Sequence, residues 1–146
     1  MTWPTPRVGQ VIRYAYLWKR EADAGLEEGL KDRPVVIVVA QRREGGRIRV
    51  VVAPITLTSP IETGIAIETP PATRRRLGLD DEPQWIVLND LNAFLWPGPD
   101  LRPVPGQGPG SLVVGFVPGD LMRVINERLR ERIRASLVAI TNRSET

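Results

Sequence analysis

The sequence reads DRPVVIVVAQRREGGRIRVVVAPIT between residues 32 and 56, where two apolar runs flank a polar segment that contains two adjacent glycines. The first run, residues 35–39, consists of valine and isoleucine alone, which is typical of a strand buried on both faces. The second run, residues 47–54, opens with arginine and apolar residues in alternation, the pattern of another strand. Residues 43–46 supply the turn between them. This stretch therefore predicts an antiparallel β-hairpin.

Shorter signals on either side of the hairpin predict the remaining elements. A short helix should begin at Pro70 after a Thr69 cap and end before Gly78. A longer helix should begin at residues 118–120. Its predicted apolar stripe consists of Leu121, Val124, Ile125, Leu129, Ile133 and Leu137. Further strands are predicted at residues 8–18, 64–68, 85–89, 93–96 and 113–117.

Two long segments have the composition of exposed loops. Residues 19–32 are polar and contain two glycines, and residues 97–110 hold five prolines and four glycines. The sequence contains no internal repeat and no sign of a second domain. We therefore predict a single domain over residues 1–146 of the mainly β (β+α) class. It should be a small antiparallel β barrel with a short central helix and a C-terminal helix.

The composition excludes several classes of chemistry. The 146 residues include no cysteine and no histidine, which removes disulfides, thiolate nucleophiles and imidazole acid–base catalysis. Lysine and arginine together number 20 against 17 aspartates and glutamates, and only Lys19 and Lys31 are lysines. Arginine presents a planar fork that matches pairs of phosphate oxygens. Codon bias in a GC-rich genome is an equally good explanation of the arginine content.

We expect a cytoplasmic protein that uses no metal and no cofactor. No stretch reaches the roughly 18 apolar residues of a membrane span, and residues 1–6 lack the apolar core of a secretion signal. The acidic residues between positions 21 and 32 do not have the spacing of a calcium-binding loop.

One pair of residues indicates a phosphate site. Arg33 comes directly before the first strand of the hairpin and Thr56 directly after the second. Because the start of one hairpin strand faces the end of the other, we expect these side chains to be neighbours. A guanidinium and a hydroxyl together could neutralise the phosphate while a 2′-hydroxyl of RNA attacks it. The alternative is that Arg33 flanks a strand at the surface and Thr56 forms a turn.

Three stretches resemble the MazF/PemK family of toxin endoribonucleases: residues 9–14 (GQVIRY), 33–38 (RPVVIV) and 50–56 (VVVAPIT). The resemblance implies an SH3-like barrel that dimerises and cuts single-stranded mRNA without a metal. The products would carry a 2′,3′-cyclic phosphate. It also implies a cognate antitoxin protein that covers the RNA-binding surface.

The resemblance implies roles for particular residues. Arg33 would stabilise the charge on the phosphate and donate a proton there. Thr56 would hold the scissile phosphate, and Asp90 would be the base that takes the proton of the 2′-hydroxyl. Glu28 resembles a glutamate in the loop of some members. The residues expected to bind RNA are Glu28, Thr58, Ser59, Arg47 and Arg49.

Two alternatives to a nuclease remain open. Leu88 occupies the position of a second arginine in PemK-type members, and Leu91 stands where a glutamine is usual. These departures favour a non-catalytic barrel that binds RNA or protein. A related class of barrel toxins poisons gyrase, which is the second alternative.

Overall fold

The computed structural model describes residues 4–26, 31–59, 65–79, 81–104 and 112–143. These residues form a nine-stranded sheet and three α-helices, so the mainly β class is confirmed. The strands are β1 Gln10–Ala15, β2 Asp32–Arg42, β3 Ile48–Thr56, β4 Ala66–Glu68, β5 Trp85–Val87, β6 Asp90–Leu95, β7 Leu101–Arg102, β8 Val113–Phe116 and β9 Ala139–Asn142. The helices are α1 Lys19–Asp23, α2 Pro71–Arg76 and α3 Gly119–Arg134.

The β2–β3 hairpin predicted from the sequence is confirmed. The two strands pair antiparallel, with Val35 opposite Pro54 and Arg42 opposite Ile48. Gly45 and Gly46 connect them with φ angles of 77° and 78°, in the left-handed region that favours glycine. The hairpin therefore has the turn chemistry that its sequence predicts.

The other strands extend the sheet from both sides of this hairpin. The order runs β4-β5-β3-β2-β1-β7, while β6 also pairs with β3, and β8 also pairs with β1. All pairs are antiparallel except β6 with β9, which run parallel. Among the described residues no ladder joins the two ends of this order, so the sheet is not closed into a barrel.

Both faces of the sheet are covered by apolar side chains. The helix-side core contains Val36 and Val38 of β2, together with Met122, Ile125 and Leu129 of α3. The opposite core contains Val35 and Ile37 of β2, packed with aromatic residues that include Tyr14 and Phe94. The β-branched run is therefore buried on both faces, as its composition predicts.

Several details differ from the sequence prediction. The C-terminal helix buries Met122 in place of Val124, and it ends at Arg134, so the predicted stripe was wrong toward its end. Ile133 and Leu137 are each 53% exposed. Thr69 does not cap α2, because the N-cap position is Pro70 and the buried Thr69 hydroxyl has no hydrogen-bond partner among the described residues.

The proline-rich segment is also more ordered than predicted. Residues 101–102 form β7 beside β1, and Asp100 is only 6% exposed. The prediction that residues 97–110 cannot form an element was therefore wrong for the described part of this segment. Residues 19–32, predicted as an exposed loop, begin with the short helix α1. No helix in the described ranges has both the length and the apolar character needed to cross a membrane.

Candidate functional site

A cleft of about 490 Å³ opens where β2 begins and β3 ends. Arg33, Thr56 and Thr58 all line it, so the predicted meeting of Arg33 with Thr56 is confirmed. The hairpin brings both residues to the same end of the sheet, because its last pair, Val35 with Pro54, lies two residues inward from each of them. The cations of the cleft are Arg13, Arg20, Lys31 and Arg33.

The Arg33 guanidinium is held in a partly dehydrated setting. Its Cζ lies 5.1 Å from the centre of the Trp18 ring. Its Nε is buried and has no hydrogen-bond partner among the described residues. Burial lowers the pKa of Arg33 from its usual range, and the nearby Glu21 carboxylate partly opposes this shift. An anion that entered the cleft would meet this partly dehydrated guanidinium, where its attraction to Arg33 is stronger than in bulk water.

The Thr56 hydroxyl is oriented by its own turn. The backbone N–H of Thr58 donates to Thr56 Oγ1 at 3.2 Å. A hydroxyl has one hydrogen and two lone pairs. Since this contact uses a lone pair, the hydrogen of Thr56 stays available to donate to a bound phosphate.

Tyr16 and Trp18 form an aromatic wall of the cleft that the sequence analysis missed. Their ring centroids are 5.0 Å apart, in an edge-to-face arrangement. The guanidinium of Arg20 also lies near Trp18, with its Cζ 5.2 Å from the ring centre. The signal in the sequence was two aromatics at alternate positions just after the first strand, followed by the cations Lys19 and Arg20.

Asp90 lies behind this wall, and it is not among the residues that line the cleft. Its Oδ1 accepts a hydrogen bond from the Tyr16 hydroxyl at 2.5 Å, and its Oδ2 accepts from the Lys19 backbone N–H at 3.1 Å. Burial raises the pKa of Asp90, while both hydrogen bonds act in the opposite direction. Asp90 therefore contacts a residue of the cleft, Tyr16, without lining the cleft itself. Its role as a base stays a prediction.

Two other carboxylates line the cleft directly. Glu21 accepts a hydrogen bond from the Trp18 backbone N–H through Oε1 at 3.0 Å. Asp32 places Oδ1 3.5 Å from Nε of Arg102. Glu21 is thus the cleft carboxylate nearest in sequence to the aromatic wall. The sequence analysis gave it no role, because it predicted Asp90 as the base and Glu28 as an RNA-binding residue.

The backbone of the aromatic wall is fixed by β6. Asn92 accepts from the Leu17 N–H at 2.9 Å and donates to the Leu17 carbonyl at 2.7 Å. Asn92 Oδ1 also accepts from Arg143 at 2.8 Å, and Asn92 is fully buried. The segment that carries Tyr16 and Trp18 is therefore held by side chains of β6.

The remaining predicted site residues are dispersed. Ser59 is exposed and does not line the cleft. Arg47 and Arg49 line a different cleft of about 420 Å³. Glu28 lies outside the described residues. Of the predicted set, the structure thus brings together Arg33, Thr56 and Thr58.

Comparison of the sequence with protein-family models and with curated proteins finds no match. Within the described ranges, no group of three or more aspartates and glutamates is placed to hold a metal ion.

Proposed function

We propose that this protein is an endoribonuclease that cuts single-stranded RNA without a metal, with the Arg33–Thr56 cleft as its active site. The observation that carries the proposal is the half-buried guanidinium of Arg33, whose Nε lacks a partner among the described residues, in one cleft with the Thr56 hydroxyl. Arginine and a hydroxyl donor match the oxygens of a phosphodiester. Tyr16 is only 1% exposed and the Trp18 ring lies against the guanidiniums of Arg20 and Arg33, so the aromatic wall positions these cations.

The proposed reaction is an internal transfer of the phosphate. The 2′-oxygen forms a bond to phosphorus while the bond from phosphorus to the 5′-oxygen breaks, which leaves a 2′,3′-cyclic phosphate and a 5′-hydroxyl. Arg33 and Thr56 stabilise the charge that develops on the non-bridging oxygens. Burial lowers the pKa of Arg33, so this group also shares its proton more readily with the departing 5′-oxygen.

A carboxylate is needed to take the proton of the 2′-hydroxyl. We assign this role to Glu21, because it lines the cleft and its Oε2 is not the atom that accepts from Trp18. Asp90 then acts as a positioning residue that holds Tyr16 and the start of α1. This replaces the role that the MazF/PemK resemblance implied for Asp90.

The same proposal covers the biological setting. The protein would be the toxin of a toxin–antitoxin pair, an SH3-like barrel of the MazF/PemK type that works as a homodimer in the cytoplasm. Its substrate would be mRNA, and its partner would be a cognate antitoxin protein. The open sheet with two apolar cores is compatible with a strongly curved small barrel.

The proposal is tested by cleavage of a mixed pool of single-stranded RNA in the presence of EDTA. Wild-type protein should cleave with and without EDTA. Arg33→Gln and Thr56→Val should each lower the cleavage rate by about 10²-fold, the usual cost of removing one donor to a developing oxyanion. The matched controls are Arg123→Gln on α3 and Thr5→Val, because both residues are exposed and line neither cleft.

Unchanged cleavage in both cleft variants would contradict the proposal. Salt-dependent RNA binding without any cleavage would instead support the second candidate, a non-catalytic RNA-binding barrel. That candidate is favoured by one observation, which is the complete burial of Leu88 in the helix-side core, where no side chain at this position can serve the cleft.

A further inference from the structure

A second cleft is more uniformly cationic than the proposed active site. It has a volume of about 420 Å³, and its described lining includes Arg43, Arg47, Arg49 and Arg143 but no carboxylate. The first cleft, by contrast, carries Glu21 and Asp32 beside its cations. Neighbouring like charges repel one another, and a bound anion relieves that repulsion. The second cleft is therefore the stronger candidate for a site that binds an anion without catalysing a reaction.

The fold holds these arginines close together. The Arg43 N–H donates to the Arg47 carbonyl at 2.6 Å, which closes the β2–β3 turn and makes these residues neighbours. Arg49 follows on β3, half-buried between its sheet partners Gln41 and Leu95. The cluster thus belongs to the rigid end of the hairpin and does not depend on a long loop.

Arg143 forms the buried side of this cleft. Its guanidinium donates at 2.8 Å to the Ala15 carbonyl and to Asn92, and it lies 3.1 Å from the Asp100 carboxylate. Its charge is therefore balanced inside the protein. The cations that face a ligand come from the hairpin.

The lining indicates which part of a nucleic acid would bind. Phe94 is the aromatic residue of the described lining, but it is only 4% exposed and stacks on Tyr14 at 4.7 Å. It offers no free face to a base. A guanidinium can donate two parallel hydrogen bonds to one phosphate, and this contact does not depend on the base sequence of the nucleic acid. The cleft is thus suited to a phosphate backbone.

We propose that the second cleft binds backbone phosphates of the RNA strand whose cleavage takes place in the first cleft. This inference rests on the proposed function. The two clefts lie toward opposite ends of β3, since Arg49 and Thr56 are seven residues apart on that strand, or about 23 Å along it. An odd separation also directs their side chains to opposite faces of the sheet, so a bound strand must pass around its edge. A strand of several nucleotides is needed to reach both, so the second cleft adds affinity only for long RNA.

The test compares RNAs of about 4 and about 16 nucleotides, the range that one small β barrel covers. The Arg43→Gln/Arg49→Gln variant should lose roughly tenfold in affinity for the longer RNA relative to the shorter one. The slope of log affinity against log salt concentration should become less negative by about 1.4, or about 0.7 for each of the two lost phosphate contacts. Arg123→Gln/Arg130→Gln removes the same charge from exposed positions of α3 and should change neither quantity.

The possible results separate this inference from the proposed nuclease activity. Equal losses in the test variant and the control variant would overturn the second site, because net charge alone would then explain the effect. Equal affinity of the test variant and the wild type for long RNA would also overturn it, even if cleavage is observed. Length-dependent binding through Arg43 and Arg49 without any cleavage would support the second site and contradict the nuclease.

Discussion

The Asp90 carboxylate shows how a single contact positions the cleft. Burial raises its pKa above the usual value, while the Tyr16 hydroxyl and the Lys19 N–H favour the ionised form. Because the folded-state pKa lies above the unfolded value, ionisation of Asp90 reduces stability as pH rises through the folded-state pKa. The two hydrogen bonds offset part of that loss.

A Tyr16→Phe variant tests this contact. The change removes the donor to a buried carboxylate, so the free energy of unfolding should fall by about 2 kcal/mol near pH 8. Near pH 3, below the ordinary range of an aspartate and so further below the raised pKa of Asp90, protonation removes the charge, and the loss should be about 1 kcal/mol, the value for a neutral hydrogen bond. Urea unfolding at the two pH values measures the difference.

Tyr14→Phe is the matched control for that prediction. Tyr14 is also fully buried, but its hydroxyl has no hydrogen-bond partner among the described residues. The control should leave stability unchanged or slightly increased at both pH values, because it removes a buried hydroxyl that makes no bond. An equal loss at both pH values in Tyr16→Phe would exclude an ionised Asp90 as the acceptor.

Individual residues also differ in how far their place in the site could be predicted from the sequence. Arg33 and Thr56 could be paired because the hairpin that joins them is local and its register follows from a short turn. Asp90 could be picked out as a candidate, but its environment depends on Tyr16, 74 residues away along the chain. No local pattern encodes a contact of that separation.

Among the elements, β6 has a role beyond its place in the sheet. Its side chains Asp90 and Asn92 replace the partner strand that residues 16–19 would otherwise need. A buried backbone group without a partner is costly. These two side chains therefore allow the chain to leave the sheet and present Tyr16 and Trp18 to the cleft.

An Asn92→Ala variant tests this role of β6. It removes two bonds to Leu17 and one from Arg143, all of them buried, so the free energy of unfolding should fall by about 3 kcal/mol. Asn89→Ala is the control, because it keeps the backbone carbonyl that accepts from Ala139. Thermal unfolding compares the two variants. A loss below about 1 kcal/mol in Asn92→Ala would contradict the positioning role.

The elements that sequence predicted are those with strong local signals. The hairpin, the short α2 and the start of α3 follow from β-branched runs, prolines and glycines. β7 and β9 were missed because β7 has two residues and β9 pairs in parallel with β6, far away in the sequence. Their stability comes from tertiary contacts, such as Leu101 in the opposite core, rather than from their own composition.

In the whole molecule, the β2–β3 hairpin separates two clefts of different chemical character. One end forms a mixed-charge cleft with hydroxyls and aromatics, and the other end forms a cleft of arginines. Sequence placed Arg47 and Arg49 with Thr58 in one RNA-binding set, because a list of candidate residues along the chain does not indicate which end of a strand a side chain reaches. The three-dimensional arrangement divides that set.

We propose that the Arg33–Thr56 cleft promotes attack of an RNA 2′-oxygen on the neighbouring phosphate of the same strand. Mass spectrometry of the fragments produced by the wild-type protein in EDTA tests it most directly. We predict fragments that end in a 2′,3′-cyclic phosphate, with a 5′-hydroxyl on the downstream piece, and a yield about 10²-fold lower from Arg33→Gln under the same conditions. Fragments with a 5′-phosphate and a 3′-hydroxyl, or intact RNA after incubation with the wild type, would contradict it.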